Sequence, residues 1–368
     1  MKESNGKIES LQALRAIAFI GIFLCHAEAT YNWPALGVSV FYVLSGFLMA
    51  YKYNDAEIDC SFRGRMDFSL SRIKKLYPLH ILTMICSIIL AIVIRLHLGI
   101  TIKFLIYIVG TIILNVFLIQ TWVPYQAINV SLNGVAWFLS VTMFLYFMFP
   151  KILHFIKRKK MISLWVMSLS VLILQCVSCV PFIYFFGNDS QVYIWFMYCF
   201  PIFRLGDFFV GCTLGKHYAC SKKIKFSFIQ MSLVEVVMTV ITIAVFEWMK
   251  RAPTNIFFLA MRNWTTIYIP IATAWIFLFA ENKGIISRIL SNNFFVFIGN
   301  ISAYTFLIHY VLIQYIYNVL IYLKIDRSLK LNLSIIVFEF MLTIVLALLY
   351  NKSKDSKYKL RRAMRVRL

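Results

Sequence analysis

The chain has 368 residues, of which 61% are hydrophobic, 17% aromatic and 14% charged, and its formal net charge is +22. So little charge cannot cover the surface of a soluble domain of this length, which excludes a water-soluble enzyme. The basic excess lies in short loops and the tail, without a basic face of interleaved aromatics, so it marks membrane topology and not a nucleic-acid interface.

Apolar stretches recur from end to end, each near the ~20 residues a helix needs to cross a bilayer. A spanning backbone must satisfy its own hydrogen bonds, and the alternation of a membrane barrel is absent, so these stretches are predicted helices. The expected fold is an all-α polytopic membrane protein with about ten transmembrane helices plus one re-entrant or in-membrane segment, both termini cytoplasmic. Spans are predicted at about 11–28, 36–51, 78–96, 134–152, 161–186, 191–215, 227–248, 264–280, 293–322 and 331–350. Residues 1–350 form one transmembrane domain, and 351–368 a basic cytoplasmic tail.

The first span opens after a charged start and closes on Ala27-Glu28-Ala29, which mimics a signal-peptide cleavage site. Glu3, Glu9 and Arg15 suit a signal peptide poorly, so the segment is expected to stay. It carries Arg15 and His26. Eleven residues of helix advance about 1100°, three turns plus roughly 20°, so the two side chains face the same way, ~16 Å apart along the axis. An unpaired, lipid-facing arginine at mid-membrane costs at least ~2.5–3.5 kcal/mol. Either Arg15 snorkels to the headgroups and His26 caps the span, or both line a polar groove with an anion clamp at one end and a proton-transfer imidazole at the other.

Residues 68–78 form a basic run, Phe68-Ser69-Leu70-Ser71-Arg72-Ile73-Lys74-Lys75-Leu76-Tyr77-Pro78. It anchors topology, and Arg72 and Lys75 would share a helical face if the third helix begins early, suiting a phosphate-rich ligand. The basic loops 52–77 and 151–160 both belong inside, so an even number of crossings separates them. The stretch 121–134 has no Lys or Arg and reads as an outer segment, so 104–122 is expected to re-enter or lie in the membrane.

Cys176 and Cys179 form a C-x-x-C inside an apolar segment, where buried packing is the expectation. Arg204 and Asp207 sit three apart just after Pro201. They can pair, which would be structural, or open a cavity where the proline weakens the helix. Of the 37 Lys and Arg, Arg15 and Arg204 alone remain within predicted spans once Arg95 and Lys151, at span ends, are counted with the loops. Glu235, Glu339 and His309 are also intramembrane; His309 suits a hydrogen-bonded core position as well as a functional one.

Taken in order, these residues resemble the membrane acyltransferase-3 family. Leu11-Gln12-Ala13-Leu14-Arg15-Ala16 followed by His26 is similar to its arginine–ten residues–histidine motif. Gly37-Val38-Ser39-Val40-Phe41-Tyr42-Val43-Leu44-Ser45-Gly46 resembles its second-span signature. Arg72, Lys75 and Pro78 resemble its arginine–arginine–proline run, with Lys75 in place of the second arginine. Phe203 to Gly211 and Ile301 to His309 resemble two later signatures. Members move an acyl group, usually acetyl, from cytoplasmic acyl-CoA to a carbohydrate at or beyond the outer face.

The resemblance therefore implies Arg15 and His26 as catalytic residues and Arg72 and Lys75 against the CoA phosphates. Lysine keeps the charge but loses the planar two-point grip of arginine. It also implies Trp137, Ser140, Arg204, Tyr304 and His309 as substrate-binding residues. Many members carry a glutamate after the Trp-x-x-Ser signature; Thr142 stands there instead. That departure points to the subgroup modifying exopolysaccharide or capsule, or to a differently placed acceptor.

The expected protein is a membrane-bound O-acyltransferase of the cell (inner/plasma) membrane, with acetyl-CoA as donor substrate and no metal or permanently bound cofactor. Its expected partners are the bilayer, a carbohydrate acceptor (O-antigen, capsule or exopolysaccharide type) and polysaccharide biosynthesis proteins, but no nucleic acid. Two rival classes are a lipid-linked-sugar flippase or polysaccharide polymerase, which needs no CoA-phosphate site, and a small-solute transporter, which would show paired halves with broken helices.

Overall fold

The computed structural model describes residues 8–27, 33–221, 225–251, 255–325 and 329–366, and every regular element among them is helical. In chain order these are α1 (Ser10–His26), α2 (Trp33–Lys52), α3 (Phe62–Ile73), α4 (Tyr77–Leu98), α5 (Ile102–Val116), α6 (Gln126–Asn129), α7 (Trp137–Lys157) and α8 (Met161–Phe186). There follow α9 (Gln191–Tyr198), α10 (Pro201–Cys220), α11 (Phe228–Lys250), α12 (Ile256–Met261), α13 (Tyr268–Glu281), α14 (Ile285–Leu290), α15 (Asn293–Tyr322) and α16 (Leu329–Val366). Eight helical segments among the described residues are long and apolar enough to cross a bilayer, and α1, α5 and α13 are shorter apolar helices. The chain is an all-α polytopic membrane protein.

At 15 residues, α5 is about 22 Å long, short of a ~30 Å hydrocarbon core. It buries Phe104, Ile108, Thr111 and Asn115 on one face and exposes Leu105, Ile106, Val109 and Ile113 on the other, so its outward face is apolar and its polar residues turn to the protein. Its end lies back beside the start of α4. The Tyr77 hydroxyl donates to the Val116 carbonyl (2.9 Å), and His80 Nε2 meets the Asn115 carbonyl at 3.0 Å. From there the chain advances along α4 until Asn133 Nδ2 donates to Thr83 Oγ1 (3.0 Å) and to the Leu307 carbonyl (2.9 Å). This largely irregular stretch buries Gln120, Thr121, Asn129, Ser131 and Asn133. Non-helical backbone among spanning helices is tolerated only where protein encloses it.

The centre of the bundle is the contact of α2 with α10. A Cβ on Gly46 would meet the Phe208 carbonyl, and one on Gly211 the Val43 carbonyl, so only glycine lets these backbones approach. Helix α1 packs between α2 and α15, where Gly299 lies against the Gln12 backbone. Glu235 has a structural post: its carboxylate accepts from the backbone N–H of Ile286 (2.6 Å) and Ser287 (3.3 Å). It satisfies free donors at the start of α14. The predicted boundary at 350–351 falls inside one helix, since α16 continues through the basic tail to Val366.

Candidate active site

Helices α1, α2, α3, α7 and α15 enclose a cavity of about 180 Å³ whose walls include Arg15, Ser45, Arg72, Thr142, Tyr146 and Ser302. Arg15 donates to Gln12 Oε1 at 3.4 Å and its Nε has no partner. Arg72 is bonded to the Tyr53 hydroxyl and lies over the rings of Tyr53 and Phe68, at 5.2 and 4.9 Å. Neither guanidinium forms an ion pair among the described residues. Two arginines lining one partly enclosed space, with neutral partners only, make a site for an anionic or strongly polar group.

The basic run differs from its expected form. Helix α3 ends at Ile73, Lys74–Leu76 form a turn, and Pro78 starts α4. Arg72 and Lys75 therefore share no continuous helical face: a proline suits the first turn of a new helix, and Pro78 takes that place in α4. Arg72 lines the cavity, whereas Lys75 is exposed and offers its carbonyl to Lys354.

At the other end of α1, His26 Nδ1 and His309 Nε2 are 2.9 Å apart, with ring centroids at 5.1 Å and planes 29° apart. His309 is 0% exposed, and its Nδ1 lies 3.2 Å from the Thr305 carbonyl. A carbonyl only accepts, so Nδ1 of His309 carries the proton and donates to it. The neutral ring's Nε2 is then an acceptor, and His26 donates to it from Nδ1. The remaining nitrogen of a neutral His26, Nε2, is left with a free lone pair. His26 borders a second cavity of about 170 Å³, lined also by Gln314, Tyr317, Asn332 and Glu339.

Arg15 and His26 both meet α15, but they do so in two cavities and not in one passage. Aromatic packing causes the division. The rings of Phe19, Phe23 and Phe306 surround His309 at 5.6, 6.2 and 5.7 Å, and Phe306 also borders the Arg15 cavity.

The other motif residues lie elsewhere. Arg204 and Asp207 form an ion pair at 2.7 Å with both side chains 0% exposed. Arg204 also donates to Thr265 Oγ1 (2.5 Å) and lies 4.8 Å over the Tyr42 ring, inside packed protein. Trp137 packs against Tyr42, Phe138 and Tyr198. The Ser140 hydroxyl donates to the Leu118 carbonyl (2.5 Å) and meets Thr121 Oγ1 at 2.7 Å, which ties the α5–α7 connection to α7. Tyr304 faces α16, with Lys354 and Tyr350 against it. Sequence reasoning missed Tyr146, Gln314, Asn332 and Lys354; polar residues on amphipathic spans give no local sign of which cavity they will face.

The acyltransferase-domain profile of the acyltransferase-3 family matches residues 8–352. The chain belongs to the acyltransferase-3 family. "Acyltransferase MdmB" of Streptomyces mycarofaciens is 26% identical over 239 residues, which cover 57% of this chain and 57% of that relative. The chain thus matches little more than half the length of that relative. No solved structure matches. This acyltransferase-3 protein is a multi-pass membrane protein. Both cavities lie within the family match, and the arginine–ten residues–histidine motif supplies one residue to each.

Proposed function

We propose that the protein transfers an acyl group, acetyl in the first instance, from cytoplasmic acyl-CoA to a hydroxyl of a surface or lipid-linked saccharide. The observation that carries this reading is the His309–His26 hydrogen bond, which leaves the imidazole base of His26 beside a polar cavity. Among the described residues the second cavity offers carboxamides, a phenol and a carboxylate but no Lys or Arg, which suits a neutral polyhydroxylated acceptor. The cationic Arg15 cavity suits the donor.

His26 Nε2 takes the proton as the acceptor oxygen attacks the thioester carbonyl. The C–O bond forms, the C–S bond breaks, and the proton held by His26 passes to the departing CoA thiolate. Arg15, in its own cavity, holds the polar groups of the donor's arm. Phe306 stands between the cavities, and its ring turns aside to let the thioester carbonyl reach His26. In the same reading both termini lie in the cytoplasm and the protein sits in the inner or plasma membrane, beside the enzymes that build the polysaccharide.

His26→Ala and Arg15→Lys in membrane-inserted protein test the assignment, with mass spectrometry of the surface glycans as readout. Loss of the acyl mark in His26→Ala is expected. Acyl transfer at the wild-type rate in that variant, or glycans with no acyl group dependent on the protein, refutes the reading.

A further inference from the structure

The family match ends at residue 352, yet α16 runs on to Val366. The first lysine beyond the match is Lys354, which the fold carries to the rim of the Arg15 cavity. Its ammonium donates to the Lys75 carbonyl (3.1 Å) and to the Tyr304 hydroxyl (3.2 Å), and lies 5.4 Å from the centroid of the Tyr304 ring. The residues next to those two anchors, Leu76 and Ala303, line the cavity. Lys354 therefore bridges the α3–α4 turn and α15 beside the cavity that Arg72 lines.

The chemistry of the contacts matters. An ammonium has three N–H donors. Here two of them reach neutral oxygens, a carbonyl and a phenol, and Lys354 forms no ion pair among the described residues. No described residue neutralises the charge, and two of its three donors are taken by these oxygens. A strap whose sole task was to hold α16 against α15 would need no charge: Tyr350 already packs on Tyr304, with ring centroids at 5.4 Å.

We propose that Lys354 is a donor-binding residue: its ammonium takes a phosphate of the nucleotide end of acyl-CoA at the cavity rim. With Arg72 it forms a cationic clamp around that end, while the phosphate-free arm bearing the thioester enters towards Arg15. This inference rests on the acyl-CoA reading above. It makes the basic tail part of the donor site and not a topology signal alone.

The test uses the full chain in lipid nanodiscs and titrates two donors, acetyl-CoA and acetyl-pantetheine, which carries the same thioester without phosphates. Lys354→Met is expected to weaken acetyl-CoA binding by roughly ten-fold or more, the scale of one charge-assisted hydrogen bond. Acetyl-pantetheine binding stays unchanged, which also shows that the variant is folded. Lys354→Arg keeps most of the acetyl-CoA affinity, and Lys352→Met, at an exposed neighbouring position, leaves both donors unaffected. The inference is overturned if Lys354→Met binds acetyl-CoA as wild type does, or if it weakens both donors by the same factor, the mark of a structural strap. Wild-type protein that binds acetyl-pantetheine but not acetyl-CoA overturns it too. If the wild type binds neither donor, the acyl-CoA reading itself fails and this inference falls with it.

Discussion

Replacing His309 with phenylalanine isolates the hydrogen bond on which the proposed chemistry turns. Phenylalanine keeps a ring among Phe19, Phe23 and Phe306, whose centroids lie 5.6, 6.2 and 5.7 Å from that of His309. It removes the acceptor that His26 Nδ1 meets at 2.9 Å. A buried donor left without a partner costs about 1–3 kcal/mol. The imidazole escapes that cost by moving its proton to Nε2, the atom that must act as base. At 1.4 kcal/mol per factor of ten, reactive His26 becomes roughly 5- to 150-fold scarcer. The loss should fall on kcat for transfer of labelled acetyl from acetyl-CoA to membrane saccharide. KM for the donor should hold, because His309 does not line the Arg15 cavity. His309→Gln, which offers an amide oxygen as acceptor, should recover much of the rate. Wild-type kcat in His309→Phe, or a change confined to KM, would refute the reasoning.

Arg204 gives a contrasting case, because its pair with Asp207 is closed to solvent. Arg204→Met strands a buried carboxylate and should cost about 3–5 kcal/mol of stability, whereas Arg204→Met with Asp207→Leu should recover most of it; thermal unfolding in detergent reads both. A double variant that is stable but fails to bind acetyl-CoA would instead make Arg204 a ligand-binding residue. Thr142 lines the Arg15 cavity, so Thr142→Glu sets a carboxylate where the arginine can pair with it. The KM for acetyl-CoA should rise by about 10- to 100-fold, on the scale of a charge-assisted bond; an unchanged KM would show that Arg15 does not meet the donor.

What the sequence determined by itself is what local patterns carry. Each span reads from its own hydropathy, because the bilayer asks the same question of every stretch of ~20 residues. The Arg204–Asp207 pair reads from a spacing of three within one helix. The order of the arginine, histidine and basic-run motifs identifies the family, since those residues stand in the chain as they stand in its relatives. The short α5 overlaps the stretch 104–122 that the charge of the flanking loops singled out.

Tertiary structure decided what those residues do to one another. His26 meets His309 across 283 positions, and Lys354 meets Lys75 across 279; no periodicity encodes such pairs. Spacing along α1 aligned Arg15 with His26, but the rings that fill the space between their cavities come from α1 and α15 together. Ser140 belongs to a recognisable motif, yet its hydroxyl holds the α5–α7 connection, because the left-handed turn at Leu118 and the short helical turn Gln120–Trp122 bring that segment to it. A helix's own sequence sets which side chains share a face. Which cavity that face borders depends on the rotation and tilt imposed by its neighbours, here by the close approach of Gly299 to Gln12 and of Gly211 to Val43.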